Sequence, residues 1–121
     1  MKRKPGPRRS RAATFETVRT IALSFPGAEE STSYGTPAFK VKGKLFVRLH
    51  QDGDALVVRI EEDERAKRML TDPETFFITD HYLNYPWILV RLATVKRDDL
   101  HQLLAEAWRL VAPKSLLVDD A

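Results

Sequence analysis

The sequence predicts an α+β fold, in which N- and C-terminal helices pack on one face of an antiparallel β-sheet to make a two-layer sandwich. Apolar residues recur at helical spacing near both ends of the chain, and they alternate with polar residues in the segments between. Each end segment has a single apolar stripe. A helix with a single apolar stripe packs through one side only. Both helices are therefore expected to cover the same face of one sheet.

The N-terminal half is predicted to contain one helix and three strands. Thr14 is the expected N-cap of a helix over residues 14–25, and Pro26-Gly27 is expected to stop it. Residues 28–37 are rich in turn-forming residues and are predicted to be a polar loop. The strands are predicted at about residues 38–42, 44–50 and 55–60, with tight turns at Gly43 and at Asp52-Gly53-Asp54.

The C-terminal half is predicted to add a short charged helix, two strands and a long final helix. The charged helix is placed at residues 61–70, the strands at 76–79 and 87–95, and an aromatic loop at 80–86. Asp98 is the expected cap of the final helix, which runs to about Val111. The apolar face of this helix consists of Leu100, Leu103, Leu104, Ala107 and Val111.

Alternation along the strands assigns their residues to two faces of the sheet. The inward residues are predicted to be Phe39, Val41, Leu45, Val47, Leu49, Leu56, Val58, Ile60, Ile88, Val90 and Leu92. The outward residues are predicted to be Lys40, Phe46, Arg48, His50, Val57, Arg59, Trp87, Leu89 and Arg91. The outer face is therefore expected to be cationic. It either binds an anionic partner or is neutralised by acids at residues 29–30 or 61–64.

The positive net charge of the chain comes from its first 13 residues. These residues include no acid and six basic residues, Lys2, Arg3, Lys4, Arg8, Arg9 and Arg11. The other 108 residues carry 14 of the 20 basic residues and all 17 acids, so their net charge is −3. Residues 1–13 are predicted to be a disordered tail, residues 14–116 one domain, and residues 117–121 a short C-terminal tail. The basic tail is either a nucleic-acid arm or an unstructured, solubilising leader.

Several classes of site are excluded by the sequence. The chain has no cysteine, so it forms neither a disulfide nor a thiolate metal site. His50, His81 and His101 lack metal-ligand spacing, and no GxSxG, GxGxxG or Walker A motif occurs. We therefore predict a non-enzyme with no catalytic residue, no metal and no cofactor. No apolar run approaches the roughly 20 residues that span a bilayer, so no membrane contact is expected. The protein is also expected to be cytoplasmic and monomeric.

Four separated segments resemble the MmcQ/YjbR family. They are SYGTPAFKVKGKLFVRL at residues 33–49, DPETFFIT at 72–79, YPWILVRL at 85–92 and AWRLVAPK at 107–114. The resemblance covers residues 13–116. It implies a fold like that of bacterial frataxin and, from a proposed double-wing arrangement, DNA binding. Frataxins bind iron through acidic residues, but the helix dipole explains the acidic run at 61–64, so no metal site is predicted.

The predicted function is DNA binding through the outer sheet face and the basic tail. Lys40, Arg48, Arg59 and Arg91 are expected to hold the phosphate backbone, and Phe46 or Trp87 to stack on an unpaired base. The alternative is a small-molecule or protein-binding module with a pocket between the 80–86 loop and the sheet. Outward apolar residues indicate that this loop covers part of the face. Tyr34, Tyr82 and Tyr85 are expected to pack with the loops and not to take part in chemistry.

Overall fold

The computed structural model describes residues 13–117, so the six basic residues of the predicted tail lie outside the described part of the chain. The helices are α1 (Phe15–Leu23), α2 (Glu62–Thr71), α3 (Arg97–Val111) and α4 (Lys114–Leu117). The strands are β1 (Ala28–Ser33), β2 (Thr36–Val41), β3 (Lys44–Leu49), β4 (Ala55–Arg59), β5 (Phe76–Phe77) and β6 (Trp87–Arg91). A 3-10 turn, Asp80–Tyr82, lies between β5 and β6.

The predicted α+β architecture is confirmed. All six strands belong to one sheet in the order β1-β2-β3-β4-β6-β5, and each neighbouring pair is antiparallel. Helices α1 and α3 both pack on one face, called here the inner face, where Val18, Ala22 and Leu104 are fully buried with the inward residues of the strands. The opposite face is called the outer face. No helix among residues 13–117 has both the length and the apolar character needed to cross a membrane.

The prediction of a polar loop over residues 28–37 is wrong, because this segment forms β1 and the start of β2. The six residues of β1 include four exposed ones in succession, on both sides of the strand. An edge strand that buries neither side shows no alternation of apolar and polar residues, so the pattern gives no strand signal. Tyr34 and Gly35 join β1 to β2 in a two-residue turn.

A β-bulge in β3 moves Phe46 from the predicted outer face into the core. Phe39 lies opposite Val47 and Lys40 lies opposite Leu45, so Phe46 is an extra residue without a partner. Phe46 is fully buried in the core of the inner face, whereas Leu45 lines a cavity on the outer face. The predicted placements of both residues are wrong, because the extra residue breaks the period-2 alternation.

Helix and strand ends differ from the predictions by a few residues. Thr14 caps α1 as predicted, and its side chain accepts a hydrogen bond from the Thr17 backbone. The N-cap of α3 is Lys96, so Asp98 lies in the first helical turn, where its charge still suits the helix dipole. Strand β6 ends at Arg91 because the chain turns there, with the Val95 amide donating to the Arg91 carbonyl at 3.1 Å.

Side-chain hydrogen bonds hold the edge strand β1 and its approach to the helices. Arg19 on α1 donates from both Nε and Nη2 to the Glu30 carboxylate of β1, each at 2.9 Å. The hydrogen bond from Arg19 lowers the pKa of the Glu30 carboxyl. On α3, Trp108 donates from Nε1 to the Pro26 carbonyl at 2.8 Å. The exposed strand is thus fixed to the two helices that cover the inner face.

Candidate ligand-binding site

Residues 78–86, called here the cover segment, lie across part of the outer face of the sheet. Tyr82 is buried against Val57 and Leu89, which project from the outer face of β4 and β6. Ile78 and Trp87 are partly buried in the same cluster. The prediction that this loop covers some of the outer face is confirmed. This cluster is a second, smaller core, and it covers part of a sheet face that alternation alone predicts to be exposed.

Arg65 holds the cover segment in place from helix α2. Its Nη1 donates to the carbonyls of Tyr82, Tyr85 and Trp87 at 3.0, 2.7 and 3.0 Å, and its Nη2 donates to the Leu83 carbonyl at 3.0 Å. The Arg65 side chain is buried. Carbonyls of an irregular segment need donors when they leave water, and one planar guanidinium donates to three carbonyls of the cover segment and to the Trp87 carbonyl of β6. The segment is therefore fixed through its backbone.

A cavity with a volume of about 740 Å³ lies between the cover segment, the β1–β2 turn and the outer face. This volume falls within the range of roughly 300–1,000 Å³ that is typical of small-molecule sites. The residues that line the cavity, called here the outer cavity, are Ser33, Tyr34, Leu45, Arg48, His50, Gln51, Val57, Thr79, His81, Tyr82, Tyr85 and Trp87. Four of these twelve residues are tyrosine or tryptophan, two are histidine, and none is an acid.

Arg48 supplies the positive charge of the outer cavity. Only 4% of its surface is exposed. Its Nη2 donates to the Tyr82 hydroxyl at 2.9 Å, and its Nη1 lies within 3.2–3.4 Å of oxygens of Leu49, Thr36 and Gln51. All four partners are neutral. No carboxylate among residues 13–117 forms an ion pair with this guanidinium, so its burial is not offset by an opposite charge.

The Arg48 guanidinium also keeps donors for a further partner. Arginine has five N–H groups, one on Nε and two on each terminal nitrogen. The two on Nη1 are shared by three acceptors, Nη2 makes one bond, and Nε makes none within the described residues. Two N–H groups therefore have no acceptor in the described part of the chain. A carboxylate or phosphate oxygen satisfies both the charge and these donors.

Tyr34 stands at the mouth of the outer cavity in an unfavourable backbone conformation. Its φ is +53° and that of Gly35 is +78°, which is the pattern of a type I′ hairpin turn. Asparagine or glycine usually occupies the first position, because the left-handed region costs other residues about 1–2 kcal/mol. The Tyr34 side chain is 79% exposed, and its ring centroid lies 5.1 Å from Arg48 Cζ. Core packing therefore gives no reason for an aromatic ring here.

The structure separates the residues that the sequence assigns to one nucleic-acid surface. Arg48 and Trp87 line the outer cavity. Arg59 lines a smaller cavity of about 320 Å³ beside α2 and α3. Arg91 is exposed next to β5, where its guanidinium lies 4.1 Å from the centroid of a phenylalanine ring. Lys40 is half-buried beside the edge strand. The roles of Lys40 and of the three arginines in DNA binding stay predictions.

Sequence reasoning missed the roles of Arg65 and of the three tyrosines. Arg65, Arg68 and Met69 share a face of α2 at i, i+3 and i+4, and all three are buried or half-buried, so helical spacing could have marked this arginine as inward. Tyr34 precedes a glycine in a turn, which is a signal for a hairpin. The sequence does not show that three tyrosines line one cavity with Arg48, because contacts between distant segments bring them together.

Other site types find no support among residues 13–117. No group of three histidine, aspartate or glutamate residues is placed to hold a metal ion there. His50 lies 3.5 Å from the Asp52 carboxylate, measured from Nδ1, at the β3–β4 turn. The arrangement of the outer cavity is therefore one of a buried cation, aromatic rings and imidazoles, which suits recognition of a ligand.

Comparison with known proteins relates the chain to a family and to a known fold. A family model described as YjbR matches residues 23–110, which is more than half of the chain. Uncharacterized proteins of Mycobacterium bovis and Mycobacterium tuberculosis are each 39% identical to it over 66 residues. These matches cover 54% of this chain and 51% of each relative, so the chain spans about half the length of the curated relatives it matches.

The fold is similar to that of a solved crystal structure. A crystal structure of a Deinococcus radiodurans protein with the family-model domain DUF419 matches with a TM-score of 0.72. The match covers 86% of this chain and 82% of that one, at 22% sequence identity. At this identity the likeness concerns the fold, and it agrees with the helices and antiparallel sheet described above.

Proposed function

The chain belongs to the YjbR family, and we propose that it is a non-enzymatic binding protein that holds a small anionic ligand in the outer cavity. The observation that supports this proposal is the Arg48 guanidinium, which is buried, lines the cavity and has only neutral partners among residues 13–117. The cytoplasmic location and monomeric state expected from the sequence belong to the same proposal.

The energetics of Arg48 favour an anionic ligand over a neutral one. Removing a charge from water costs several kcal/mol, and neutral acceptors recover only part of that cost. An anion that enters the cavity recovers more, because the Coulomb attraction between opposite charges at a site of low dielectric adds to the hydrogen bonds. The cavity lining adds no acid that would repel such a ligand. The ligand is therefore expected to place its carboxylate or phosphate at Arg48 and its remaining atoms among the rings.

Replacing Arg48 with glutamine is expected to weaken benzoate binding by about 10- to 100-fold, because one hydrogen bond to a charged group contributes about 1.5–3 kcal/mol. Wild-type protein should bind benzoate with a Kd on the order of 1 mM. Benzamide, which has the same ring and no charge, should bind more weakly than benzoate to the wild type and equally to both proteins. Chemical-shift titration of backbone amides and of the Trp87 indole measures all four affinities.

The matched control is Arg91→Gln, which removes an exposed arginine from the same face without touching the outer cavity. It should bind benzoate as the wild type does. Melting curves of both variants establish that they are folded. Equal affinity of wild-type protein for benzoate and benzamide, or unchanged benzoate affinity in Arg48→Gln, would contradict the proposal.

DNA binding is a second candidate function, and the charge distribution of the chain supports it. All six basic residues of residues 1–13 lie in a segment without acids, while the rest of the chain has a net charge of −3. Such a segment binds phosphates without requiring a groove or a recognition helix. DNA binding through residues 1–13 does not compete for the outer cavity, whereas binding through the predicted face residues Arg48 and Trp87 would compete, because both line it.

Deleting residues 1–12 is expected to weaken DNA binding sharply and to leave the melting temperature unchanged. Neutralising six phosphates gives a slope of roughly −5 in a plot of log affinity against log salt concentration, from about −0.9 per phosphate. Fluorescence anisotropy with a labelled duplex, measured between 50 and about 200 mM salt, gives the slope for both proteins. Equal affinity and slope with and without the segment would remove this candidate.

A further inference from the structure

We infer that the ligand of the outer cavity carries its negative charge on a planar aromatic ring, and that Tyr34 selects this ring. The inference rests on the proposed function and adds the chemical class of the ligand to it. It starts from the lining of the cavity, which consists in part of three tyrosines, a tryptophan, two histidines and the buried Arg48.

The position of Tyr34 provides the first argument. Its left-handed backbone is one that asparagine or glycine adopts more easily, and its ring is 79% exposed. The ring is therefore held at an unfavourable turn position without the burial that usually accompanies a large aromatic side chain. What the ring does contact is the Arg48 guanidinium, at 5.1 Å. A tyrosine at this turn is explained if its free surface binds something that arrives at Arg48.

The geometry of a carboxylate at Arg48 provides the second argument. Paired N–H groups bind a carboxylate in the plane of the guanidinium. A carboxylate that is conjugated to an aromatic ring lies in the plane of that ring, so the ring continues the plane of the guanidinium. The Tyr34 ring already covers this guanidinium, and its exposed remainder is available to stack on a ring that extends the same plane.

The opposite rim of the cavity provides the third argument. Tyr85 is 58% exposed at the end of the cover segment, and the His81 ring lies 6.3 Å from it. Both line the outer cavity. Arg65 fixes this rim through the backbone carbonyl of Tyr85 at 2.7 Å. Exposed aromatic side chains thus occur on both sides of the mouth, and a flat ring contacts such surfaces better than a saturated ring of the same size does.

The test compares benzoate with cyclohexanecarboxylate, which has the same charge on a saturated ring. Wild-type protein is expected to prefer benzoate by about three- to tenfold, the range that one aromatic contact contributes. Tyr34→Asn removes the ring and supplies a residue that the type I′ turn favours, so the hairpin is preserved. In this variant the preference should fall to about twofold or less, with any remainder coming from Tyr85 and His81, and cyclohexanecarboxylate affinity should stay within about twofold of wild type. Tyr34→Phe should restore the preference.

The outcomes of this test separate the inference from the proposed function. Loss of the preference in Tyr34→Asn and its recovery in Tyr34→Phe support the inference. Equal binding of the two carboxylates by wild-type protein, or an unchanged preference in Tyr34→Asn, overturns the inference and leaves the anion-binding function standing. If neither carboxylate shifts any resonance of the cavity at concentrations up to about 50 mM, well above the expected Kd, the proposed function fails and the inference fails with it.

Discussion

Replacing Arg65 with methionine is expected to lower the free energy of unfolding by about 3–5 kcal/mol, because four backbone carbonyls lose a hydrogen bond from a charged donor, each of which contributes about 1.5–3 kcal/mol. The Tyr82 and Tyr85 carbonyls keep their backbone donors, the amides of Tyr85 and Trp87. The total stays below the sum of four such contributions, since a loosened cover segment reaches water. Urea denaturation measures the loss. Faster hydrogen exchange of the Tyr82 and Tyr85 amides, which bond within residues 79–85, would report the loosening directly.

Lys67→Met is the matched control for this prediction. Lys67 lies on the same helix and is exposed. Among residues 13–117 its side chain forms only a surface ion pair, with Glu64 at 3.7 Å, so its loss should cost at most about 1 kcal/mol. Arg65→Lys separates charge from geometry. Lysine keeps the charge but lacks the planar fork that reaches four carbonyls, and most of the loss should therefore remain. Equal stability of the two methionine variants would show that Arg65 does not hold the cover segment.

Arg48 and Arg65 are both buried and both bind the cover segment. Arg65 binds the backbone of the cover segment, and Arg48 binds the Tyr82 hydroxyl of that segment. Both guanidiniums have only neutral partners among residues 13–117, but Arg48 lines the outer cavity and Arg65 does not. This difference explains why we assign a structural role to the first and ligand binding to the second. Loosening the segment in Arg65→Met should also weaken benzoate binding, because the segment forms one wall of the outer cavity.

Local patterns in the sequence were sufficient to predict most of the fold. The apolar stripes of α1 and α3 are visible at helical spacing, and Gly43 and Gly53 have positive φ at the turns that were predicted for them. These features depend on residues close together in the chain. Strand β1 escaped prediction for the same reason. An alternating pattern arises when one side of a strand is buried. The residues of β1 are exposed on both sides, so its sequence does not alternate.

The candidate site could be predicted only in part, since it depends on contacts between distant segments. Alternation places Arg48 and Trp87 on the outer face, and the aromatic loop was expected to cover that face. The burial of Arg48 depends on Tyr34 and Thr36 of the β1–β2 hairpin and on Tyr82 of the cover segment, which are far apart in the chain. The bulge in β3 is a property of strand pairing, so neither strand alone reveals it.

Phe46→Ala tests the position that the bulge assigns to this residue, and it is expected to lower the free energy of unfolding by about 3–5 kcal/mol. Phe46 is fully buried on the inner face, where its ring meets that of Phe25 edge-to-face at 6.4 Å. Truncation leaves a cavity that neighbours on α1 and α3 fill only partly. Urea denaturation of the variant gives the loss, at a temperature where both proteins begin fully folded.

Phe77→Ala is the matched control, because Phe77 is a half-buried phenylalanine on the outer face of β5. Its truncation should cost less than that of Phe46, since part of its ring already contacts water. Under the alternation pattern, Phe46 would instead lie on the outer face and stack on an unpaired base. In that case Phe46→Ala would change stability by no more than Phe77→Ala does and would weaken binding of single-stranded DNA. A large loss of stability with unchanged DNA affinity in the folded variant is the result we expect, because the core, and not a ligand, occupies the space around this ring.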